Sequence, residues 1–193
     1  LSITLRSVRC IRQEDSELPL VDNEDDEPYV LVMAINTEGR FVGVPPVGIT
    51  LPASLVTRIG PLDSVDRGET RTAPANTLWD LEKKPAPIAH IDRIFLLVSV
   101  LEHDSAKVTD VENRVVTAAQ AGLPGLLLNA EGRSDLEPDA RLEFFIETAR
   151  QSFDGAISLA RLHPLDPDDQ IGPAQVLRFT DAEQQSRSEE HTS

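Results

Sequence analysis

Cysteine, aromatic side chains, lysine and long apolar runs are all scarce in this 193-residue chain. A single cysteine, Cys10, excludes a disulfide framework and any cysteine-based zinc site. Aromatics are 4% of the residues, which argues against a sugar-stacking cleft. Three lysines and fifteen arginines face 33 acidic residues, for a net charge of −15. Nucleic acid needs clustered cations to neutralise its phosphates, so it is excluded as a partner. An unaided electrostatic grip on anionic lipid is disfavoured for the same reason. The charge favours a cation instead: a metal ion, a basic partner, or simple solubility. No apolar run approaches the roughly 18 residues of a transmembrane helix. The chain opens at Leu1 and reads at once as a strand, so a trimmed piece of a longer protein is expected and the compartment stays unassigned.

What is present suits one domain over residues 1–180, followed by a polar tail at 181–193. A chain of this size buries roughly 70% of its extended surface and needs no staple. Leu1, Ile3 and Leu5 alternate with polar residues, the period of a half-buried strand. Tyr29–Ile35 and Ile91–Leu101 are continuous apolar runs rich in β-formers, read as central strands. Between them, residues 40–75 are broken by Pro45, Pro46, Pro52, Gly60, Pro61 and Gly68 and read as loops with short strand pieces. Glu69–Thr72 is an edge-strand candidate.

The period changes after Asp104. Val111, Val115, Ala118 and Ala119 stand at helical spacing, with Thr109 and Glu112 as a capping box and Gly122 as the stop. A second helix is predicted from Pro138 to Leu159, with Pro138 at its first position and a stripe through Leu142, Phe145, Ile146, Ala149, Phe153, Ala156 and Ile157. Gln175–Phe179 returns to strand. The expected fold is therefore mainly β: an antiparallel sandwich of about seven or eight short strands, with a two-helix insertion over about 105–165 before the last strand.

Three acidic stretches carry the candidate chemistry. Eight carboxylates fall between Glu14 and Glu27, Asp22 and Asp25 among them. Glu102 and Asp104 stand at the exit of the Ile91–Leu101 strand, and Asp166, Asp168 and Asp169 precede the last strand. If they converge at one end of a sandwich, they repel one another unless a dication sits between them, and carboxylate oxygens suit Ca²⁺. The plainer alternative is a solvated acidic surface.

The order of these motifs resembles a C2 domain, the calcium-responsive β-sandwich module. Asp26-Glu27-Pro28-Tyr29-Val30 stands where the family has an acidic loop and Asp-Pro-Tyr-Val. Leu101-Glu102-His103-Asp104 stands at its strand ending in Asp-x-Asp, and Asp169-Gln170-Ile171-Gly172 at its Asp-Phe-hydrophobic-Gly. The resemblance covers roughly 90 residues. It implies Ca²⁺ as cofactor, held by Asp22, Asp25, Glu27, Glu102, Asp104 and Asp169. Glu27 and Glu102 depart from the family's Asp, and the helical block replaces a short loop.

No other chemistry is selected. His90, His103, His163 and His191 follow no zinc spacing and read as surface histidines. There is no nucleophile motif of the G-x-S-x-G kind and no glycine-rich phosphate loop. The insertion offers surplus apolar surface at Leu126, Leu127 and Phe144, assigned either to core packing or to contact with a partner protein or membrane surface. The expected function is a non-catalytic binding or targeting module. The rivals are a hydrolase using acidic residues and a structural domain of a larger assembly.

Overall fold

The computed structural model describes residues 3–9, 27–38, 40–41, 53–62, 68–78, 90–102, 108–161, 170 and 172–179. Six strands are found there: β1 (Thr4–Arg9), β2 (Pro28–Asn36), β3 (Ala53–Ile59), β4 (Thr70–Thr77), β5 (Ile94–Glu102) and β6 (Gln175–Arg178). Two helices, α1 (Val108–Glu131) and α2 (Pro138–Arg161), separate β5 from β6. The strands form a four-stranded antiparallel sheet of order β3-β2-β5-β6 and a two-stranded ribbon, β1-β4.

The expected mainly β sandwich is therefore corrected. Of the described residues 41% are helical and 37% are in strands, and the fold is mixed α/β with no closed sandwich. The β1-β4 ribbon is too small to serve as the second sheet, and the helical pair is a full layer in its own right. The four-stranded sheet lies between them. On β2, Tyr29, Leu31, Met33 and Ile35 join Phe145, Phe153 and Ile157 of α2 in one buried cluster. Val30, Val32 and Ala34 join Ala73 and Leu78, with Ile3, Leu5 and Val8 against them, in another. Cover on both faces is why β2 is an unbroken apolar run, since neither face may be polar.

The ribbon shows how local sequence is accommodated. Its register shifts between Leu5 and Ser7, opposite Asn76 and Thr72. Pro74 falls in that irregular stretch of β4, where a missing N–H breaks no ladder bond. The shift puts Val8 rather than Ser7 on the side of Leu5, so the simple alternation read at the start of the chain fails after Leu5.

Helix α1 runs past its expected stop. Gly122, Pro124 and Gly125 all lie inside it, and Thr109 is a helical residue and not the cap. Proline costs roughly 3 kcal/mol and each glycine about 1 kcal/mol in a helix interior relative to alanine. Burial of Leu123, Leu127 and Ala130 against the sheet carries the helix through. It ends one turn later than the leucines, where Gly132 donates to the Leu128 carbonyl at 2.9 Å and a Cβ would stand 3.2 Å from that oxygen. Helix α2 begins at Pro138, and the Glu137 carbonyl accepts the first helical bond from Arg141 at 2.9 Å.

Two special backbone positions frame the sheet. Gly60 has φ +102°, and a Cβ there would come within 2.8 Å of the Leu62 nitrogen and 3.2 Å of the Pro28 carbonyl oxygen. Glycine is needed at that crossing because Leu62 N–H bonds the Pro28 carbonyl at 2.8 Å. At the other end of β2, Phe41 has φ 54° and is buried. Its ring lies 5.5 Å from Phe145, which meets Phe95 edge-on at 6.2 Å.

Candidate functional site

The sheet has two ends with different chemistry. At the first, Pro28 at the start of β2 faces Glu102 at the end of β5. Leu101 forms an isolated bridge with Gln170, so the turn before β6 returns to that same end. Glu27 is exposed and Glu102 half-buried. Strand register thus gathers the flanks of all three acidic stretches. Four of the six expected calcium ligands, Asp22, Asp25, Asp104 and Asp169, lie outside the described residues. Among the described residues no three His, Cys, Asp or Glu side chains form a metal-holding group.

A polar network fastens this end to the helices. The Gln170 amide donates to Ser99 Oγ at 3.0 Å and to Asp154 Oδ1 at 2.8 Å. The Ala174 N–H donates to the same Oδ1 at 2.7 Å. Arg150 holds the other oxygen, Oδ2, at 3.0 Å, and reaches Glu147 on the preceding turn. Hydrogen bonding to Arg150 draws the exposed Glu147 carboxyl down to about 2. Ser99 is 1% exposed and sits within an apolar strand, so its hydroxyl must find a partner. Asp154 therefore ties together β5, α2 and the entry to β6.

The opposite end is built from arginines. Arg40 follows β2 and is 4% exposed, with Nη2 2.9 Å from Oε2 of Glu131 at the end of α1. Arg141 reaches the Glu131 carbonyl oxygen at 3.4 Å. Cations suit that helix terminus, where the last carbonyls lack partners. Among the described residues, Arg40 Nε and Nη1 and Arg141 Nε have no hydrogen-bond partner. Nearby, Arg133 pairs with Asp135 and draws the exposed aspartate down to about 2, chiefly through their hydrogen bonds. Arg178 of β6 grips Glu143 of α2 through two bonds of 2.5 and 2.6 Å.

The expected partner-contact residues fare differently from one another. Leu127 is fully buried in the helix-side core. Leu126 and Phe144 are partly buried against that core, and the Arg133 guanidinium lies 5.0 Å above the Phe144 ring. The large apolar side chains exposed among the described residues are Leu128, Leu159 and Leu177. Sequence reasoning missed the Ser99–Gln170–Asp154 network and the buried Arg40. Their signal was polar residues inside apolar patterns: Ser99 within β5, and Asp154 one position beyond Phe153 in the α2 stripe.

No protein-family model matches the chain, and neither the curated proteins nor the solved structures compared with it contain a match. Among the described residues no helix is long and apolar enough to cross a membrane.

Proposed function

We propose that this chain is a non-catalytic binding module whose acidic sheet end takes a divalent cation, Ca²⁺ above others, and presents it to a protein partner or a membrane surface. One observation supports the reading: the register of Pro28 with Glu102 and the bridge from Leu101 to Gln170 bring the described flanks of the three acidic stretches to one end of the sheet. Carboxylates held close raise one another's proton affinity and destabilise the fold unless a cation lies among them. Of the C2 resemblance, the motif order and its ligand assignment are retained, and the sandwich is not.

The test is thermal. A cation that binds only the folded state adds about 2.7 kcal/mol at one hundred times Kd. Each kcal/mol moves the melting point by about 2–4 °C in a chain of this size. With a sensor-like Kd on the order of 10 μM, millimolar Ca²⁺ should raise Tm by several degrees over chelator at matched ionic strength. Mg²⁺ should do less, because it demands octahedral geometry and releases water reluctantly. Glu102→Gln and Asp104→Asn should blunt the shift, and Glu189→Gln in the tail should not. An unchanged Tm between chelator and millimolar Ca²⁺ ends the cation reading.

A further inference from the structure

The weak point of α1 is unexplained by the packing around it. Gly122, Pro124 and Gly125 interrupt a 24-residue helix near its middle. No close approach requires either glycine. A Cβ at Gly125 would meet nothing within 4 Å, and one at Gly122 would meet only the Ser152 hydroxyl at 3.6 Å, an ordinary contact. Pro124 leaves the Gln120 carbonyl without its helical donor.

Among the described side chains, burial is denser beyond this joint than before it. Beyond it, Leu123, Leu127 and Ala130 are buried and Glu131 is tied to Arg40. Before it, Val115 is the one buried side chain among those described in residues 108–121. One tether on this side is the Arg58–Glu112 pair at 3.2 Å, with both side chains 26% exposed. An apolar void of about 10 Å³ lies directly under the joint, lined by Val115 and Leu123 from either side of it and by Met33, Ala149 and Phe153 below. Breakers and a packing gap coincide at one point.

We propose that α1 is jointed at Gly122–Gly125 and that its first half, residues 108–121, swings off the sheet as a unit while its second half and α2 stay docked. The swing uncovers Met33 and Phe153, both buried in the resting structure, beside the half-buried Val56. This device does not depend on the cation reading, and its test contains no metal.

Hydrogen exchange of the intact chain decides it. Amides of residues 108–121 should exchange about tenfold or more faster than those of residues 126–131 and of the α2 core. The triple variant Gly122→Ala, Pro124→Ala, Gly125→Ala should slow residues 108–121 about tenfold and leave α2 within about threefold of its own rate. Gly125→Ala alone, at an exposed position with open space, should act in the same direction and keeps the test intact if the triple variant does not fold. Equal exchange on both sides of residues 122–125 in the unaltered chain overturns the proposal. So does a variant that slows both helices alike, because the breakers would then only lower global stability.

Discussion

The two faces of the central sheet are both closed, but not equally. Facing the helices, β2 offers Tyr29, Leu31, Met33 and Ile35, and all are buried together with the three-ring cluster around Phe145. Facing the ribbon, it offers Val30, Val32 and Ala34. The bulky residues thus point to the layer that brings its own large side chains, and the small ones to a two-stranded ribbon. That ribbon runs short of the β6 side. Val98 and Val100 of β5 are only partly buried on its face, and Leu177 of β6, paired with Leu96, is 49% exposed. An unbroken apolar strand therefore reports cover on both sides without reporting how thick each cover is. Energy should follow thickness, because a side chain stabilises in proportion to the apolar area it removes from water.

The sharpest way to break this comparison is to truncate one residue on each face. Phe145→Ala removes a fully buried ring that touches Phe41 and Phe95, and should cost about 3–5 kcal/mol. Val98→Ala removes methyl groups that are only partly covered and should cost under about 1 kcal/mol. Urea unfolding with unchanged slopes measures both. Equal losses would mean that the ribbon face is as well packed as the helix face.

The next effect concerns what joins the layers. Asp154 accepts from Gln170, from the buried Ala174 and from Arg150, so Asp154→Ala strands an amide N–H and a side-chain donor. Loss of about 2–3 kcal/mol is expected, with β6 the first strand to lose exchange protection. Asp154→Asn keeps one acceptor oxygen and should cost about half as much. If both variants behave alike, the carboxylate's second contact, to Arg150, is the one that matters, and the docking of β6 depends on charge and not on the bond to Ala174.

Much of this arrangement was legible residue by residue, and the failures have physical causes. The α2 stripe and the Pro138 start follow from helical period and proline chemistry, both local. β2 and β5 announced themselves as apolar runs. β3 did not, because Thr57 and Arg58 interrupt it and its residues from Ser54 to Arg58 are all half-exposed at a sheet edge. α1 was cut short at Gly122 because local propensity favoured a stop there, and burial of Leu123 and Leu127 overrode it. The spacing of short strands suggests a sandwich, whereas the order β3-β2-β5-β6 rests on contacts distant in sequence. At the acidic end Pro28, the residue after Glu27, pairs with Glu102. The clamp at Asp154 went unread because one aspartate beside a helical stripe looks like solvated surface.

The smallest expected effect tests how the helix layer is held at the β6 margin of the sheet. Glu143 and Arg178 bind α2 to the four-residue strand β6 through a two-pronged contact, with side chains 56% and 47% exposed. The hydrogen bonds from Arg178 hold the Glu143 carboxyl below its ordinary range, with partial burial opposing them. A carboxyl whose folded value is depressed contributes stability above its unfolded value, about 4.3 for glutamate, and loses it as pH falls towards the folded value. Exposure and screening keep the contribution under about 1 kcal/mol. Glu143→Gln should therefore lower Tm by no more than about 2–4 °C at neutral pH. The gap between variant and parent should narrow as pH drops below about 4.3. Glu147 and Asp135, drawn down to about 2 by Arg150 and Arg133, titrate in the same acid range. Their pairs lie within α2 or the turn before it and are present in both proteins, so they cancel in the difference. A gap that stays constant from neutral to acid pH would show that Glu143 acts by packing its stem against β6 and not by its charge.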